Sequence, residues 1–191
     1  MFKGWFGEIK TRLSLWLSLD KRTYHKFHNL IVPSKNGTAQ LDHVLVSCYG
    51  IFVVETKNIK GWIFGSSNQS KWTQIIFGNK YSFQNPLKQT FRQKRVLSEY
   101  LSIDEKCIIT IVYFVGDCKF KTHLPHNVIK SGLSSYIKRY TELKFDAKQL
   151  DEILYKLSKL SSDFKITKRE HIQSLRDRHI SNAVCPRCGS K

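Results

Sequence analysis

The sequence predicts a mixed α/β domain, a β-sheet flanked by α-helices. Three observations carry that expectation. Residues 40 to 47 and 51 to 57 are β-branched and apolar runs around a short turn, the pattern of a β-hairpin. Residues 107 to 115 are apolar throughout, as in a central strand buried on both faces. Residues 2 to 17, 86 to 101 and 146 to 160 instead space their apolar side chains as amphipathic helices do.

In chain order, Phe2, Phe6, Ile9, Leu13 and Trp16 or Leu17 mark a first helix that would cover one face of the sheet. Residues 24 to 32 read as a loop or a first strand, and Pro33-Ser34-Lys35-Asn36-Gly37 as a turn. The register of the hairpin that follows is open. With Tyr49-Gly50 as a two-residue loop, Asp42 pairs with Lys57, and Asp42, Glu55 and Lys57 share a face. With a three-residue loop, Asp42 pairs with Thr56 and the two carboxylates fall on opposite faces unless a bulge or twist intervenes. Residues 61 to 78 read as a second hairpin extending the sheet, turning at Ser66-Ser67-Asn68. Asn85 caps and Pro86 opens a helix carrying Leu87, Phe91, Val96, Leu97 and Tyr100. After the central strand come a short strand near residues 127 to 129 and helices near 133 to 140 and 146 to 160.

Composition limits what such a domain does. The 191 residues are 41% hydrophobic and 13% aromatic, too rich in core-forming side chains for a disordered chain. Their number suits one domain with a small appendage. No stretch approaches the roughly 20 apolar residues of a membrane span. Lys3, Glu8, Lys10 and Arg12 interrupt the N-terminal apolar positions and no cleavage site follows, so a signal peptide is not expected. Five unevenly spaced cysteines do not make a disulfide framework, which points to a reducing cytoplasm.

Lys and Arg number 32 against 15 Asp and Glu, a net charge of +17. That excess implies a polyanionic partner, nucleic acid ahead of an anionic membrane, because each cation meeting a phosphate releases counterions. Between residues 21 and 98 there are 12 basic side chains and two acidic ones, Asp42 and Glu55. Two carboxylates retained on an otherwise acid-poor surface point to chemistry. With a backbone carbonyl, that of Thr56, they are the hard oxygen ligands Mg²⁺ prefers, leaving positions for water and phosphate. Such a metal activates a water and offsets charge on the phosphate. Lys57, on the same face as Glu55, would orient that water or hold the phosphate. A bare Glu-x-Lys is usually a solvated charge pair, but here it ends the apolar strand Val53-Val54-Glu55.

Gly4-x-x-Gly7-Glu8, Gln40-Leu41-Asp42-His43, Tyr49-Gly50-Ile51-Phe52-Val53-Val54-Glu55-Thr56-Lys57-Asn58, Lys60-Gly61, Trp72 and Asn85-Pro86-Leu87-x-Gln89 occur in that order. Together they resemble the nuclease-related domain (NERD) family of the PD-(D/E)XK nuclease superfamily, over residues 4 to about 140. The resemblance implies a restriction-endonuclease-like core and a nuclease that hydrolyses DNA phosphodiester bonds with Mg²⁺ or Mn²⁺. It implies Asp42 and Glu55 as metal ligands and Lys57 as the catalytic lysine, with Glu8 a further acidic member and Gln89 an accessory polar residue. Glu8 also reads as the i,i+4 partner of Arg12, Gln89 as an exposed helix residue, and His43 as a sheet-face histidine. Lys88, Arg92, Lys94 and Arg95 are candidate phosphate contacts, which set position rather than sequence. Trp62 and Trp72 could stack on bases, although a hairpin tryptophan more often belongs to the core.

The expected division is a nuclease-like domain over residues 1 to 162, a basic helical linker over 163 to 184 and a partial zinc-finger knuckle over 185 to 191. Cys185-Pro-Arg-Cys188-Gly189 resembles the first knuckle of the zinc finger of type IA topoisomerase C-termini. Two thiolates cannot close a Zn²⁺ site, so a truncated finger or an idle tail is expected. A non-catalytic nucleic-acid-binding module of the same fold is the alternative function, and membrane attachment through the first helix a weaker one. Cutting both strands of a duplex with one site per chain would favour a homodimer.

Overall fold

The computed structural model describes residues 19 to 35 and 37 to 162. The expected first helix, which carries Glu8, and the tail with Cys185 and Cys188 lie outside the described residues. Within them the fold is mixed α/β, with two sheets. The first sheet is built from β1 (His25–Ser34), β2 (Gly37–Ser47), β3 (Gly50–Lys57), β7 (Ile108–Phe114) and β9 (Val128–Ile129), side by side in that order. β1, β2 and β3 run antiparallel, whereas β3, β7 and β9 run parallel. Parallel neighbours need a crossover, and α1 (Pro86–Leu101) lies between β3 and β7 in the chain.

Alternation along the strands divides the core in two. Val44, Val46, Ile51 and Val53 face Val96, Leu97 and Leu101 of α1 and Ile153 and Leu157 of α3 (Ala147–Ser162). Leu45, Phe52, Val54 and Ile111 face Leu133, Tyr136 and Ile137 of α2 (Leu133–Ile137). The sheet is therefore covered on both sides, and the side carrying α1 is the one that positions the site.

The hairpin register differs from both expected alternatives. The two-residue loop is Cys48-Tyr49, with Ser47 opposite Gly50 and His43 opposite Val54. Gly50 serves the sheet rather than the turn: at φ +131°, a Cβ there would sit 3.0 Å from the Cys107 carbonyl oxygen. The first strand is also longer than expected. Pro33 and Ser34 belong to it, which a sheet-edge position tolerates because proline's missing N–H faces outward.

The residues expected to extend the sheet instead build a second one. β4 (Gly61–Phe64), β5 (Lys71–Ile76), β6 (Asn79–Gln84) and β8 (Cys118–Phe120) form it in the order β6-β5-β4-β8. The chains leaving β3 and β7 turn into it together. The Val115 N–H donates to the Lys57 carbonyl (3.0 Å) and the Gly61 N–H to the Asp117 carbonyl (2.9 Å). Between those bonds Gly116 lies directly against the backbone of Ile59, so close that a Cβ would stand 2.2 Å from the Ile59 oxygen. Backbone cannot yield as a side chain can. Gly116→Ala is expected to destabilise the domain by roughly 3 kcal/mol, a fall in Tm of about 5–10 °C by thermal unfolding.

Candidate active site

One row of side chains on the α1 face changes character as it runs along the hairpin. Val46 stands opposite Ile51 and Val44 opposite Val53. Continued one step beyond the last ladder pair, His43 with Val54, the same register sets Asp42 across from Glu55, with Lys57 next on the same face. Relative to the two-residue Tyr49-Gly50 alternative the loop is displaced by one residue and the register by two, which preserves the face; the three-residue alternative, which put the carboxylates on opposite faces, differs by one. Asp42 and Glu55 thus share a side although Asp42 does not oppose Lys57.

α1 supplies polar partners at matching intervals. The Lys57 ammonium lies 2.6 Å from Glu55 Oε1 and donates to Gln89 Oε1 at 3.1 Å. Gln93 Nε2 donates to Glu55 Oε2 at 2.8 Å and to the Gln40 carbonyl at 2.9 Å. Two strand residues advance about 6.6 Å and four helix residues about 6 Å, so Gln89 meets Lys57 where Gln93 meets Glu55. Glu55 is 3% exposed. Asp42, half-buried, accepts the Thr56 N–H at 3.1 Å. The structure therefore brings Asp42, Glu55, Thr56, Lys57 and Gln89 together, and adds Gln93.

Gln93 is the residue missed in the sequence. It occupies a buried position of α1 with Thr90, Val96 and Leu97, whereas Phe91, expected in that stripe, is 57% exposed. The signal was its spacing, four residues beyond Gln89 and four before Leu97. The orientation of its amide is fixed, because both atoms that Nε2 meets are acceptors. Its Oε1 is buried and has no hydrogen-bond partner among the described residues.

The basic side chains of α1 lie elsewhere on the helix. Lys88, Arg92 and Arg95 are exposed and Lys94 is half-buried. Arg92 donates to the Thr38 carbonyl at 3.2 Å, and Arg95 lies 3.9 Å from Glu105. Trp72 is core, 0% exposed and stacked on Phe114. Trp62 is half-exposed. His43 is fully buried, with its Nδ1 2.7 Å from that of His28 on the neighbouring strand. Cys118 is buried, and burial pushes its thiol pKa up, as for an inert structural cysteine.

Whether the cluster suits a metal turns on its donors. Among the described residues no three His, Cys, Asp or Glu side chains converge. The carboxylates that share this face, Asp42 and Glu55, are hard oxygen donors. Each carboxylate oxygen has lone pairs beyond those used by Thr56, Lys57 and Gln93, and this donor chemistry fits Mg²⁺ or Mn²⁺ and not a thiophilic ion.

A sheet covered by helices on both faces, with a second sheet diverging at the ends of β3 and β7, is consistent with the restriction-endonuclease-like fold. The family model for the nuclease-related domain, NERD, matches residues 3–115, more than half of the chain, which therefore belongs to that family. It is also similar to an uncharacterized protein of Bacillus anthracis, 32% identical over 185 residues that cover 93% of this chain and 85% of the relative. No solved structure matches it.

Proposed function

We propose that this NERD-family chain is a Mg²⁺- or Mn²⁺-dependent nuclease that hydrolyses DNA phosphodiester bonds at Asp42, Glu55 and Lys57. The observation that carries the reading is the buried Glu55 carboxylate, 2.6 Å from the Lys57 ammonium and held by an amide from α1. A buried ion pair seldom outperforms apolar packing of the same volume as a source of stability. Its position at a strand end, beside Asp42, favours chemistry over scaffolding.

In this reading Asp42, Glu55 and the Thr56 carbonyl hold the metal. A strand residue carries its N–H and C=O on the same edge; the Thr56 N–H is aimed at Asp42, so its carbonyl lies on that edge too. The bound ion would lower the pKa of a water and offset the charge gathering on the phosphate. Gln93 keeps Glu55 from rotating. Gln89 holds the Lys57 ammonium beside Glu55 until a phosphate or attacking water takes it. Water adds to phosphorus, the ester P–O bond breaks, and the proton ends on the leaving oxygen.

The test is cleavage of supercoiled and of linear single-stranded DNA in Mg²⁺ or Mn²⁺, with EDTA as the control. Glu55→Gln preserves side-chain size. It is expected to slow scission at least about 100-fold while DNA binding in EDTA changes little. Salt-sensitive binding with no scission in any divalent ion would instead assign the chain to a non-catalytic binding module.

A further inference from the structure

The four-stranded sheet turns one face to the core and the other to solvent, and the outer face is basic and aromatic. Cross-strand partners share a face, so the register places Lys119, Trp62, Ile75 and Lys80 in one row across β8, β4, β5 and β6. Trp62 is 49% exposed, and the Lys121 ammonium lies 4.3 Å from its ring centroid. That cation–π contact orients the indole and sets a positive charge beside it.

At the tip of the β5–β6 hairpin, Phe77 is 95% exposed and has φ +50°. A bulky side chain is strained there, where Asn or Gly would turn the chain without cost. Neither the core nor the turn accounts for it, and a strained, displayed residue is a sign of use. Trp62, Ile75 and Phe77 line one cleft of about 760 Å³ with Lys60, Lys119 and a single carboxylate, Asp117. Residues 61 to 84 contain no Asp or Glu. The surface is joined to the candidate site at both ends: β4 starts at Gly61, just after Lys57, and β6 ends at Gln84, next to the Asn85 cap of α1.

We propose that this outer face binds single-stranded nucleic acid, with bases stacked on Trp62 and Phe77 and phosphates met by Lys80, Lys119 and Lys121. The inference deepens the nuclease reading and rests on it. A duplex hides the faces of its bases, whereas a single strand offers them to aromatic side chains in any sequence. The lysine-flanked face, with Asp117 the one carboxylate lining its cleft, complements a phosphate backbone, whereas an apolar protein or peptide partner would leave those lysines unpaired.

The experiment follows fluorescence anisotropy of a labelled oligothymidylate and of a blunt duplex, with the full chain in EDTA. The single strand is expected to bind more tightly than the duplex. Trp62→Ala and Phe77→Ala are expected to weaken its binding roughly 5- to 100-fold each. Trp62→Phe should retain most of the affinity and Trp62→Leu should lose as much as the alanine, and Lys119→Ala should flatten the salt dependence by about 0.7 in log–log slope. Unchanged binding in the alanine variants, or wild-type binding by Trp62→Leu, overturns the proposal. Cleavage in Mg²⁺ by the same preparations separates the two readings. Scission that survives with Trp62-independent binding removes only the surface, and Trp62-dependent binding without scission removes only the enzyme.

Discussion

Lys57→Ala is expected to lower the DNA cleavage rate by about 10²–10⁴-fold, the range for losing one positioned proton-transfer or charge-stabilising group. Binding of DNA in EDTA should change only severalfold, since a single phosphate contact is lost. The substitution also strips Glu55 of its cation. Breaking a buried pair costs about 3–5 kcal/mol when one partner is removed, and less here because the Lys57 side chain is 20% exposed. A fall in rate could therefore follow from unfolding alone. The double variant Glu55→Gln/Lys57→Met separates the two causes, because it removes both charges while conserving volume. Its thermal stability should return toward wild type and its activity should not. Activity that recovers together with Tm would make the pair a structural element, and the nuclease reading would lose its main support.

Much of the hairpin site is legible in the sequence because face, not pairing partner, is what alternation encodes. Two carboxylates and a lysine at even spacing from the ends of two apolar runs converge for any register differing by an even number of residues, so Asp42 and Glu55 come out on one side even with the loop misplaced. The loop itself is illegible because Gly50 reads as a turn residue, yet is a glycine for the approach of the Cys107 carbonyl. Gln93 is hidden for a related reason. In a periodic helix the position between Gln89 and Leu97 calls for an apolar side chain, and Phe91 answers that call in the sequence while pointing to solvent. Only when β3 is laid beside α1 does the equivalence of two strand steps and four helix steps select Gln93 as the partner of Glu55.

The second sheet is harder to read because two of its strands, β8 at one edge and β4 beside it, are short. β8 has three residues and β4 four, too few for a period to show, and what separates them from the first sheet is a backbone contact at Gly116 that no hydropathy pattern records. α1 is the opposite case: Asn85-Pro86 fixes its start by capping chemistry, and the helix begins at Pro86 as expected. The cap does more than the sequence suggests, and a substitution can reveal it.

Asn85→Asp is expected to destabilise the domain by roughly 3–5 kcal/mol, a fall in Tm of about 10 °C or more. Aspartate is as good an N-cap as asparagine, and its charge suits a helix N-terminus, so capping alone predicts little change or a small gain. The structure argues otherwise. Asn85 is fully buried; its Oδ1 accepts the Leu87 N–H at 2.9 Å, and its Nδ2 donates to the carbonyls of Ser66, Ser67 and Gln69 at 3.0, 3.2 and 2.6 Å. Aspartate would keep the first bond and turn an oxygen toward three carbonyl oxygens, repelling all three and depriving those of Ser67 and Gln69 of this donor, whereas the Ser66 carbonyl keeps the Trp72 indole N–H at 2.9 Å. Asn85→Ala, which loses the cap but adds no charge, should cost less than Asn85→Asp. Those carbonyls belong to the β4–β5 turn, and α1 carries Gln89 and Gln93, so this one amide ties the second sheet to the helix that aligns Lys57 and Glu55. A Tm for Asn85→Asp at or above wild type would reduce Asn85 to an ordinary helix cap. A Tm below that of Asn85→Ala, with cleavage impaired while the protein is still folded, would make it the joint between the substrate-facing sheet and the site.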